Sequence, residues 1–146
     1  MSDGFSKIVA ILLSVLMMFI IPVFYMQNEA DRVKQTRILE EVILFVDGVR
    51  NTGIIGKEDY NRLEEVLIAL GGTYKIQILH STHMYDESGK ILVYNANQYY
   101  ESQIKDSFVK DKDYLMSKND YIRVLIKNRE DDIVAWYGGS IKYEAY

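Results

Sequence analysis

Hydrophobic positions follow three different patterns along the chain. From Ile8 to Met26, IVAILLSVLMMFIIPVFYM, no residue is charged. At about 1.5 Å of rise per residue, a helix of this length covers the roughly 30 Å of a bilayer's hydrocarbon core. Backbone groups in lipid must be satisfied within the segment, so the run predicts a transmembrane helix over 8–26, after a short tail of residues 1–7. Ser14 can bond back to a carbonyl one turn earlier. Pro22 removes one backbone donor and is expected to kink the helix near Met18. Tyr25 suits the membrane interface. A buried core helix would carry some polar positions. A cleaved secretory signal is the stronger rival, but its apolar region is usually about 7–15 residues and ends in small residues. Here Tyr25-Met26-Gln27-Asn28-Glu29 is bulky and polar.

The second pattern is a helical stripe. Gln27 to Thr52 contains no proline, and Ile38, Val42, Phe45, Val46 and Val49 recur at i, i+4, i+7, i+8 and i+11. Arg37 with Glu41, and Asp47 with Arg50, form charge pairs expected on the wet side. Asn51-Thr52-Gly53 is a stop, with Gly53 suited to the left-handed position after a helix. Anchor and stripe therefore predict one continuous helix from Ile8 to Thr52, about 65–70 Å long. Its second half, 27–52, is expected to be the stalk of a head comprising 27–146. A second helix is expected over Lys57 to Leu70. Its apolar face is Tyr60, Leu63, Val66, Leu67 and Leu70, and Gly71-Gly72 ends it.

The third pattern alternates. Tyr74, Ile76 and Ile78 share one face of a strand over Thr73 to Leu79. Asp86 to Gly89 reads as a turn, and Lys90 to Tyr94 as the returning strand of a hairpin. Asn97 to Phe108 stays open, although Tyr100, Ile104 and Phe108 fit a helical face. Lys110 to Asp113 and Arg129 to Asp132 read as loops around a strand over Tyr121 to Lys127. Gly138-Gly139 reads as a turn before a last strand, Ser140 to Tyr146. Helices first and strands afterwards predict an α+β fold: transmembrane helix, stalk helix, second helix, then a small antiparallel sheet.

Removing the anchor leaves about 120 residues, one domain's worth. The net charge of −4 argues against nucleic acid as a partner. Cysteine is absent, which excludes disulfides, zinc thiolates and a cysteine nucleophile. The tail offers Lys7, while the other flank offers Arg32, Lys34 and Arg37. That count mildly favours a cytoplasmic head.

Candidate chemistry is sparse. His80 and His83 form H-x-x-H, but an odd separation on a strand puts them on opposite faces, so they read as surface histidines. The clusters Asp111/Asp113 and Glu130/Asp131/Asp132 lack the EF-hand spacing and its glycine. No G-x-S-x-G and no phosphate-binding glycine loop occurs. An enzyme is not expected, and neither is a metal or other cofactor. Gly4-Phe5, just before the apolar run, is the kind of junction a prepilin peptidase cuts.

The stretch Phe45-Val46-Asp47-Gly48-Val49-Arg50-Asn51-Thr52-Gly53, behind a single anchor, resembles small single-pass proteins of Gram-positive bacteria. Those proteins belong to Tad-like, type IV-related pilus assembly loci. Gly72-Thr73-Tyr74-Lys75-Ile76-Gln77-Ile78-Leu79-His80 and Tyr137-Gly138-Gly139 are similar to that group too. The resemblance implies a minor-pilin-like or assembly subunit with its head outside the cell, whose partners are the bilayer and other such subunits. One departure is chemical. After cleavage at Gly4, pilins carry a glutamate at the fifth mature position, where this chain has Val9. A priming or uncleaved accessory subunit is therefore expected, working through packing by Ile38, Val42, Phe45, Val46 and Val49. The alternative is an anchored extracytoplasmic sensory or ligand-binding domain.

Overall fold

The computed structural model describes residues 2–85, 88–89, 91–94 and 101–143. The chain divides into two compact units, Met1–Thr36 and Arg37–Tyr146. Helix α1 is assigned to Ser2–Thr52 and carries Pro22 without ending there. It is long and apolar enough to cross a membrane. Ser14 Oγ donates to the Ala10 carbonyl at 2.8 Å, so its hydroxyl is satisfied inside the helix. The helix ends where Gly53 takes φ 71°, with the Gly53 N–H donating to the Val49 carbonyl at 2.7 Å.

In the second unit the order after α1 is β1 (Ile54–Ile55), α2 (Lys57–Ala69), β2 (Lys75–Ser81), β3 (His83–Tyr85), β4 (Ile91–Tyr94), α3 (Glu101–Val109), β5 (Tyr114–Leu115), β6 (Tyr121–Lys127) and β7 (Ile133–Ser140). The layout is α+β. Strands β2, β6 and β7 form one antiparallel sheet in the order β2-β6-β7. Strands β1 and β5 form a two-residue ladder, and β3 pairs with β4.

One core joins these elements. Ile38, Val42, Phe45, Val46 and Val49 of α1 lie in it with Tyr60, Leu63 and Leu67 of α2, and with Ile104 and Phe108 of α3. The sheet contributes Ile76, Ile78, Ile122, Val124, Ile126 and Ala135, alternate residues that share its inner face. Full burial of a side chain of this size is worth about 1.5–3 kcal/mol, so the α1 stripe alone is a large share of the head's stability.

Several expectations need correcting. The return partner of β2 is β6, with Ile78 opposite Val124, and β4 instead pairs with the short β3. Gly138-Gly139 is not a turn: both glycines lie inside β7, opposite Arg123 and Ile122. The expected strand over Ser140 to Tyr146 is replaced by β7, which ends at Ser140. Glu41 is not on the wet side but buried, its carboxylate 3.0 Å from Arg37. The open stretch before Phe108 contains α3, whose Ile104 and Phe108 are buried. Asp86, Glu87, Lys90, Tyr100 and residues 144–146 lie outside the described residues.

Candidate functional site

Three arrangements in the second unit collect the polar chemistry. The first joins the end of α1 to β7. Arg50 Nη1 lies 2.8 Å from Asp47 Oδ1 and 3.4 Å from the Tyr137 hydroxyl. Arg50 Nε donates to the Ser140 carbonyl at 3.1 Å, and the Arg50 carbonyl accepts from Lys142 N–H at 2.8 Å. Glycine at 139 is required by this approach: a Cβ there would lie 2.5 Å from Arg50 Nε. The fold thus brings Asp47 and Arg50 near the end of α1 into contact with Tyr137 and Gly139 of β7. The junction is a tie between elements, with each group spent on another.

The second arrangement is a buried chain of polar groups. His80 Nε2 sits 2.8 Å from Asp120 Oδ2, and His80 Nδ1 sits 2.8 Å from the Tyr114 hydroxyl. The two rings meet edge to face, with centroids 5.7 Å apart. Ser117 N–H donates to the same Asp120 oxygen at 3.0 Å. With the imidazole neutral and protonated at Nε2, Tyr114 donates to Nδ1 and Asp120 accepts from Nε2. His80 is 7 % exposed and Asp120 4 %. The expectation of surface histidines is thus overturned for His80, and its pairing with Asp120 explains why a polar residue is tolerated there. The alternation contained the signal, because 80 continues the buried phase of Ile76 and Ile78. His83 lies in β3.

The third arrangement lies on the outward face of the sheet. Arg123 has Leu79 on one side and Gly138 on the other, and Trp136 stands opposite Leu125. The Arg123 guanidinium carbon is 5.6 Å from the Tyr121 ring centre and 5.3 Å from that of Trp136. Gly138 makes room for this: a Cβ there would lie 2.6 Å from the Ile122 carbonyl oxygen, 3.0 Å from the Tyr121 hydroxyl and 3.1 Å from Arg123 Cα. Trp136 is nevertheless 56 % exposed.

The remaining sequence-derived residues fall as follows. Ile38, Val42, Phe45, Val46 and Val49 are all buried. Gly4 and Phe5 lie in the first turns of α1, exposed. Asp111 and Asp113 join Glu58 and Asp59 around an open cleft of about 480 Å³. Glu130, Asp131 and Asp132 form the β6–β7 turn, where the Lys127 ammonium bonded to Asp131 at 2.9 Å holds that carboxyl below its usual range. Among the described residues no three His, Asp or Glu side chains gather in metal-binding reach. Sequence reasoning missed Asp120, Tyr114 and Arg123, each of which acquires its role only through a strand partner distant in the chain.

No family model matches the chain, and no curated protein or solved structure matches it.

Proposed function

We propose that the chain is a membrane-anchored, pilin-like subunit of a pilus or related secretion assembly, working by packing and not by turnover. One observation carries this reading. The large apolar side chains of 8–26 are uncovered, from 39 % exposed at Val9 to 76 % at Met18. So much apolar surface is stable only against lipid or against other apolar helices. The resemblance at Phe45–Gly53, Gly72–His80 and Tyr137–Gly139 supports the choice of assembly, with the head extracytoplasmic.

Two measurements test it. Because the chain has no cysteine, Lys112→Cys supplies its only thiol. An impermeant maleimide should label it on intact cells; labelling only after lysis overturns the outward orientation. Deleting the gene should abolish surface filaments, with restoration by the wild-type chain. Unchanged filaments overturn the assembly role. The intact mass should show whether Met1–Gly4 is retained, as expected for an accessory subunit with Val9 in place of glutamate.

A further inference from the structure

The outward face of the sheet is cationic on an acidic chain. Its outward positions include Lys75, Arg123 and Lys127 and no carboxylate, although the chain's net charge is −4; Lys127 is spent on Asp131 of the β6–β7 turn, while Lys75 and Arg123 form no ion pair among the described residues. Two buried side-chain atoms without a hydrogen-bond partner are Arg123 Nε and Gln77 Oε1, and both residues belong to this face. A guanidinium has a planar fork of five donors that matches a carboxylate. Tyr121 and Trp136 lie within cation–π distance of that guanidinium, contacts that favour the cation without using its Nε donor. A carboxylate is the group that a guanidinium binds best.

We propose that this face docks the carboxylates of a second copy of the chain, which rests on the assembly reading above. The complementary charge is at hand. Glu58, Asp59, Asp111 and Asp113 line one open cleft together with the cation Lys57, and none of the four carboxylates forms an ion pair among the described residues. A two-fold contact of the cationic face with itself would set Arg123 and Lys75 against their own copies. The contact therefore sets the Arg123 face of one copy against the cleft of the next, either reciprocally about a two-fold or head to tail along a row.

The test uses the full chain in neutral lipid vesicles, with Ile133→Cys in one population and Lys112→Cys in the other. Ile133 begins β7 and is exposed, and Lys112 lies between Asp111 and Asp113. Mild oxidation of an equal mixture should give the mixed disulfide well beyond the about twofold excess over either like pair that random pairing produces, and less of it at high salt. Arg123→Glu in the Ile133→Cys copy should cut the mixed product by about fivefold or more. Adding Glu58→Lys and Asp113→Lys to the Lys112→Cys copy should restore it, a rescue that misfolding cannot produce. Cross-linking indifferent to Arg123→Glu, dominant like pairs, or no rescue overturns the proposal. Energy transfer between fluorophores at the N-termini reports bilayer association independently. If transfer persists without the charge-dependent cross-link, the docking face is wrong and the assembly reading stands. If both are absent, both fall.

Discussion

Arg50 on α1 occupies the space that a side chain at Gly139 on β7 would fill, with Nε 2.5 Å and Cζ 2.7 Å from the position of a Cβ. From there Arg50 reaches the Ser140 carbonyl and Asp47 together. The glycine is thus a steric condition of the tie between helix and sheet.

Gly139→Ala should therefore destabilise the head by about 1–3 kcal/mol, the usual cost of forcing volume into a filled site. Gly48 gives the contrast. It lies exposed in α1 with nothing within 4 Å of a Cβ, so Gly48→Ala should stabilise by about 0.5–1 kcal/mol. Urea unfolding followed by the fluorescence of Trp136, the single tryptophan, measures both.

Asp120→Ala strips a buried partner from His80 and from the Ser117 N–H, and should cost about 1–3 kcal/mol for each donor left unsatisfied. Tyr114→Phe removes one hydrogen bond and should cost about 1 kcal/mol. A double-mutant cycle on His80 and Asp120 should give a coupling of about 0.5–3 kcal/mol. Additive losses would contradict the pairing.

Val42 and Leu44 stand two positions apart on α1, one buried and the other exposed. Val42→Asp buries an unpaired charge and should unfold the head, a loss of several kcal/mol. Leu44→Asp should change stability by less than about 0.5 kcal/mol. Circular dichroism and proteolysis of the full chain in micelles separate the two outcomes.

Tyr60 is buried, and burial pushes its phenol above the ordinary tyrosine value, with the neighbouring Lys105 ammonium pulling partly the other way. Its ionisation, followed by absorbance, should come later than that of an exposed tyrosine. The linkage sign follows. A raised folded-state pKa contributes stability that is full below the unfolded value near 10 and is lost as pH rises beyond it. Tyr60→Phe should flatten this alkaline limb of the stability curve.

How much of this was legible depended on the range of the signal. The stripe Ile38–Val49, the second helix and the strand Tyr121–Lys127 were readable because periods of 3.6 and 2 repeat within a few residues. The pairing of β2 with β6 was not, since some forty residues lie between them and either strand could have served a nearer neighbour. Gly138-Gly139 misled for a related reason. A glycine pair signals a turn locally, whereas here its use is close approach by Arg50 and Tyr121 from other elements.

The amino-acid sequence on its own determined the apolar 8–26 run, the buried stripe of α1 and the α+β order, because each follows from local periodicity and charge. Only the tertiary structure decided that His80 is buried against Asp120, that Arg50 lies over Gly139, and that Arg123 is held between Tyr121 and Trp136. Those roles arise from contacts between residues far apart in the chain, and such contacts exist only once the sheet's register has been set.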